Sequence, residues 1–162
     1  MSAGLLPARP WDAPVGVASD LDITVYTAGM VRRLAAAAKG RKVAARVHLK
    51  VDTGMHRVGV APDGALDLAT AISRERWLAL GSVWTHCAVA DEPDDPFTAE
   101  QVRRYEAVLA ELAAAGIDVP MRHAANSAGA IAHPATRYDL VRCGISTYGI
   151  PPAPALAGQA DL

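Results

Sequence analysis

Lys50, Asp52, Thr53, His56 and Arg57 are crowded into one run, VHLKVDTGMHRVGV from Val47 to Val60, where an apolar strand gives way to a Gly-containing turn. An apolar strand that delivers cations and a hydroxyl at its C-terminal end is the arrangement in which an α/β barrel collects its chemistry. Lys50 and Arg57 are close enough along the run to face that mouth together, although Lys50 taken alone reads as a solvated strand-end lysine. His86 follows a second strand end, Val83 to Thr85, where a lone histidine is ordinarily a satisfied polar residue. Asn126 and Ser127 open a short helix after a further strand. Free backbone N–H groups and a hydroxyl at such a place make a phosphate seat, the plain alternative being an N-cap. Arg142, Gly144 and Ile145 follow yet another strand. His48, His56, His123 and His133 have no ligand spacing, so no metal is implied.

The elements that must hold these residues alternate. Ile23 to Tyr26 reads as a strand, and Thr27 as the N-cap of a helix in which Met30, Val31, Leu34 and Ala38 recur at helical spacing. Val43 to Val51 is the next strand, and Pro62 starts a helix carrying Leu66, Ala69 and Ile72. Trp77 to His86 is a third strand, and the acidic turn ADEPDDP leads to a helix opened by Thr98, running through Ala115 and ended by Gly116. Met121 to Ala125 is a fourth strand, a short helix follows near Ser127, and Asp139 to Val141 is a fifth strand. Strands alternating with helices imply right-handed βαβ units and a parallel sheet. As an open sheet it would leave two unpaired edges and an apolar interior in water.

Composition removes several function classes. Formal net charge is −1 over 162 residues with 20% charged residues, so no basic surface argues for nucleic acid or an anionic membrane as partner. The 51% of hydrophobic residues are spread at helix and strand periods, with no membrane-spanning run. The N-terminus shows no cationic start followed by an apolar stretch of signal-peptide length, which implies a cytoplasmic protein. Cys87 and Cys143 lack metal-ligand spacing and read as two reduced thiols.

Four segments in order, VHLKVDTGMHRVGV, WTHCAVADEPDDPFT (Trp84 to Thr98), RHAANSAGA (Arg122 to Ala130) and YDLVRCGISTYGIPP (Tyr138 to Pro152), resemble those of the pyridoxal-phosphate-dependent alanine racemases. The resemblance runs from about Asp20 to Pro152. It implies an α/β fold, a partial (β/α)8 TIM-type barrel with about five of the eight parallel strands, and absence of the family's C-terminal β domain. The divisions expected are an irregular N-terminal segment 1–18, a partial barrel 19–150 and a C-terminal tail 151–162.

The resemblance also implies roles. Ser127, beside Asn126, and the backbone of Gly144 and Ile145 would hold the phosphate of pyridoxal 5'-phosphate. His86 would pack on the pyridine ring and Arg142 would face its nitrogen. Arg57 would reach the phenolic oxygen and the substrate carboxylate, a role suited to its planar, permanently charged fork. Lys50 matches a lysine that is often carbamylated and orients that arginine. Cys143 stands where the family commonly has proline.

Neither base of the racemases has a counterpart. Lys39, Lys42 and Lys50 lie outside the family's Schiff-base lysine motif, and Tyr26, Tyr105, Tyr138 and Tyr148 match segments other than that of the opposing tyrosine. The expectation is a fragment of an isomerase that supplies D-alanine for peptidoglycan, inactive alone and binding its cofactor weakly or not at all. The alternatives are a non-catalytic module for pyridoxal phosphate or phosphate, and a relict whose missing parts lie in neighbouring chains. The expected partners are a small amino acid and either a second copy or a complementing chain.

Overall fold

A computed structural model describes residues 12–160 as a four-stranded parallel sheet, in the order β1 (Ile23–Val25), β2 (Ala45–Lys50), β3 (Leu78–Trp84) and β4 (Arg122–His123). Three helices link successive strands or pack outside them: α2 (Ala28–Arg41), α3 (Ala65–Arg74, after a 3₁₀ turn at Pro62–Gly64) and α4 (Phe97–Ala114). Each forms where the apolar spacing demands it. Thr27 caps α2 by accepting the Met30 N–H through its hydroxyl, 3.2 Å away. Gly116 follows α4 with φ of +72°, the left-handed conformation that glycine enters without strain.

The core lies between sheet and helices. Val25, Val47, Leu49 and Val83 project from the strands to meet Leu34, Ile72 and Leu112. Tyr105 is buried among them and donates its hydroxyl to the Val83 carbonyl at 2.6 Å.

Several expectations need correction. There are four strands rather than five, because Asp139 to Val141 contributes only a single bridge, Leu140 to His123. The Asp139 carboxylate is instead held by the Arg122 side chain and backbone N–H, at 2.8–3.0 Å. The segment 1–18 is not irregular throughout, since Asp12–Ala18 forms helix α1, which packs on α2; residues 1–11 lie outside the described residues. Pro14 permits this because it lies in the first turn of the helix, where its missing N–H has no intrahelical partner to lose. Within the C-terminal tail, a 3₁₀ turn at Pro154–Leu156 buries Leu156 against Cys87, Ala90, Ala124 and Ala128.

The inner face of the sheet is not an apolar surface in water. His48, Lys50, Ser82, Trp84 and His123 occupy it and are all buried. Large exposed apolar side chains occur outside the strands, chiefly at Leu140, Val141, Ile145, Tyr148 and Ile150.

One irregularity positions this face. Val47 pairs with Leu80 but His48 pairs with Ser82, so Gly81 is an extra residue in β3. A Cβ there would lie 3.1 Å from His48 Nε2, so glycine leaves the ring its room.

Candidate cofactor site

The C-terminal ends of β2, β3 and β4 bring Lys50, Trp84 and His123 side by side, Lys50 paired with Trp84 and Trp84 with His123. The Trp84 ring stacks on His123 at 5.4 Å between centroids. Lys50 Nζ lies 5.1 Å and Arg142 Cζ 4.7 Å from the Trp84 ring centre, within reach of attraction by its π-system.

Arg142 is the hub. Its Nη1 donates to His123 Nδ1 at 2.6 Å, and Nη2 donates to the carbonyls of Thr85 and Ala124 at 2.8 and 2.9 Å and lies 3.3 Å from His86 Nδ1. Because Nδ1 of His123 accepts, its proton sits on Nε2 and donates to Ser82 Oγ, 3.1 Å away. Burial, then Arg142, pushes the His123 pKa down to about 3, and the same two causes bring His86 to about 4. Both rings are therefore neutral at pH 7. Burial lowers Arg142 to about 10, leaving it charged.

Lys50 is almost wholly buried and donates to the Val58 carbonyl at 2.6 Å. Burial brings its pKa to about 8, with Asp52 opposing and Arg57 and Arg142 assisting the fall. Arg57 is exposed, and its side chain makes no hydrogen bond or ion pair among the described residues. Its turn is nonetheless fixed, because Asp52 Oδ1 accepts the N–H groups of Gly54 and His56 at 3.0 Å each.

His86, Asn126, Ser127, Arg142, Gly144 and Ile145 line one cleft of about 390 Å³, together with Asp91, Ala128 and Pro152. Ser127 Oγ accepts the Gly144 N–H at 2.8 Å and the Ser146 N–H at 3.4 Å, so a hydroxyl and the 144–146 turn meet at one end of it. Asn126 is less available: its Oδ1 caps the six-residue helix α5 (Ser127–Ala132) through Gly129 N–H, and its Nδ2 donates to Cys87 O. Cys143 is exposed and Cys87 buried, both as free thiols. Lys50 and Arg57 sit beside this cleft rather than in its lining. No group of His, Cys, Asp and Glu suited to a metal occurs among the described residues.

Two residues at the site escape a reading of pattern alone. His123 occupies an ordinary alternating strand position, and only its place between Ser82 and Arg142 gives it a task. Gln101 looks like one polar position of a helix, yet it is fully buried against both strand-end loops.

Comparison with known proteins is consistent across sequence and structure. Residues 4–152 match the family described as "Alanine racemase, N-terminal domain". Alanine racemase of Symbiobacterium thermophilum is 52% identical over 126 residues, 76% of this chain and 33% of that protein. The Thermobifida fusca alanine racemase is 36% identical over 93% of this chain and 42% of its own length. Among solved structures, alanine racemase from Streptomyces coelicolor A3(2) superposes with a TM-score of 0.87 at 35% identity, covering 96% of this chain and 41% of that one. The Clostridium difficile 630 alanine racemase in complex with cycloserine gives 0.93 at 27% identity, covering 98% and 44%. The chain thus spans less than half the length of each of these relatives.

Proposed function

This chain belongs to the alanine racemase N-terminal domain family, and on that premise we propose that it forms the phosphate- and ring-binding half of a pyridoxal phosphate site serving a small amino acid. The observation that carries this reading is the cleft in which His86, Ser127, Arg142, Gly144 and Ile145 converge. The residues fit the cofactor. Arg142, which lines the cleft, has its Nε buried without a hydrogen-bond partner, a donor that a bound acceptor would satisfy. The neighbouring charge is also of the right sign, with Lys50, Arg57 and Arg142 close enough together to depress the pKa of His86.

Ser127 and the amides of the 144–146 turn would hold the phosphate. Bound pyridoxal phosphate supplies an electron sink that acidifies the α-carbon of an amino acid. Arg142, locked to His123 and two carbonyls, would offer the ring nitrogen a donor that keeps its own proton, which would leave that nitrogen unprotonated and moderate the sink. His86, neutral at pH 7, would pack an uncharged ring on the pyridine. Arg57 would take the substrate carboxylate, and Lys50 would orient it, as a carbamate. Interconversion of L- and D-alanine, a cytoplasmic supply of D-alanine for peptidoglycan, follows for the whole enzyme of this family.

These residues bind and orient, and none is placed as either of two opposed bases that move the α-proton. The 162-residue chain alone would therefore bind pyridoxal phosphate weakly at best and would not racemise alanine. Absorbance titration with pyridoxal phosphate, paired with chiral detection of D-alanine, tests both halves. Turnover that survives rigorous removal of host racemase refutes the second half. Failure to bind pyridoxal phosphate refutes the first, and equal affinity for inorganic phosphate would favour a phosphate-binding module.

A further inference from the structure

Helix α4 reaches over the strand ends with one stripe of side chains. Phe97, Gln101 and Arg104 recur at the spacing that puts residues on one helical face. All three meet the turn that follows β2. A Cβ on Gly54 would lie 2.6 Å from Phe97 Cζ, so the ring is seated directly on that glycine. Arg104 Nη1 donates to the Thr53 carbonyl at 3.1 Å while its Nε is held by Glu100 at 2.8 Å. Gln101 goes further and reaches the loop after β3 as well. Its Nε2 donates to Thr53 Oγ1 at 3.2 Å and to the His86 carbonyl at 3.0 Å, and its Oε1 accepts the Ala88 N–H at 2.7 Å. Thr53 Oγ1 is in turn 2.8 Å from Thr85 Oγ1.

From this geometry we propose that Gln101 is a positioning residue of the cofactor cleft: it fixes the backbone from the His86 carbonyl to the Ala88 N–H and ties it to the turn that carries Arg57. The role of the cleft rests on the pyridoxal phosphate reading above; the clamp itself does not. The amide is matched to the task because it needs two donor bonds and one acceptor bond within a buried volume, which neither an acid nor a base provides. Among the described residues the His86 ring has one hydrogen-bonding neighbour, Arg142 Nη2 at 3.3 Å, so its pose also depends on its backbone. Without the clamp, the 86–88 loop loses its tie to the helix and the imidazole gains solvent.

The test uses the whole chain with ring-labelled histidine, read by NMR, in Gln101→Met and Arg104→Met. Gln101→Met keeps the bulk and removes all three bonds, whereas Arg104→Met removes the bond to Thr53 and the pair with Glu100 but none to the 86–88 loop. The groups facing His86 are Arg142, Arg57 and Lys50, and both variants leave them in place. In Gln101→Met the His86 resonance should titrate higher by about one unit or more, towards the ordinary imidazole range, while His123 stays as it was. Arg104→Met should leave both unchanged. Affinity for pyridoxal phosphate should fall by about tenfold in Gln101→Met. If Gln101→Met does not fold by circular dichroism, Gln101→Asn, which stays neutral but is too short to reach the 86–88 loop, is read in the same way. An unshifted His86 in a folded variant overturns the proposal, as does an equal shift in Arg104→Met. A shifted His86 in a chain that never binds pyridoxal phosphate supports the clamp and overturns only the cofactor reading.

Discussion

Acidifying the solution from about pH 7.5 to about pH 5 should cost this fold close to 4 kcal/mol through two histidines, before most carboxylates titrate. His123 and His86 are held at about 3 and 4, mainly by burial and then by Arg142, against 6.5 in the unfolded chain. The folded state then excludes protons that the unfolded state accepts. Stability is full above the unfolded value and is lost as pH falls through 6.5 towards the folded values. At pH 5 the unfolded histidine is protonated in all but a few per cent of molecules while the folded one is not. Each ring thus contributes a loss of about 2 kcal/mol, His86 somewhat less because it is partly solvated. His48, also lowered by burial, adds in the same direction. Urea unfolding at the two pH values measures the sum. His123→Asn separates the parts, since the amide oxygen still accepts from Arg142 but takes no proton, and it should remove about 2 kcal/mol of the pH dependence. An identical loss in the variant and the wild type would refute the placement of a neutral His123 against a charged Arg142.

Two further outcomes are expected. Ser127→Ala should bind pyridoxal phosphate about tenfold to hundredfold more weakly in an absorbance titration, because one charge-assisted hydrogen bond is worth roughly 1.5–3 kcal/mol; equal affinity would place the phosphate elsewhere. Lys50, brought down to about 8, has a substantial free-amine fraction near that pH, so ¹³C-labelled carbon dioxide should give a carbamate resonance that is absent in Lys50→Met, and persistence of the signal in the variant would assign it to another amine.

The order of strands and helices was open to reading because it rests on local rules. The Thr27 cap, the apolar stripe of α3 and the glycine after α4 are short-range signals, and each appears where the sequence puts it. The residues of the cleft could be named because the short segments that hold them, Asn126 with Ser127 and Arg142 with Gly144 and Ile145, carry the family resemblance. What resisted was whatever depends on distant partners. Leu140 and Val141 form an apolar pair that looks like part of a strand, but Asp139 before them is drawn off by Arg122 and only a bridge survives. His123 and Gln101 carry no local mark because their partners lie far away along the chain. Helix α1 was hidden by Pro14, which a first helical turn tolerates.

The single extra residue in β3 has an effect out of proportion to its size. A strand assigns its side chains to inside and outside by parity, so one inserted unit inverts the assignment for everything after it. Before Gly81, Leu78 and Leu80 belong to the helix-side core; after it, Val83 takes that side and Ser82 and Trp84 turn inward. Glycine at 81 therefore acts as a frame shift in space. It lets one strand build the hydrophobic core with its first half and floor the cleft with its second. Substitutions along β3 change which group stands at a place, whereas a one-residue deletion there would exchange the two environments, seating an indole among the leucines and a valine beneath the arginine.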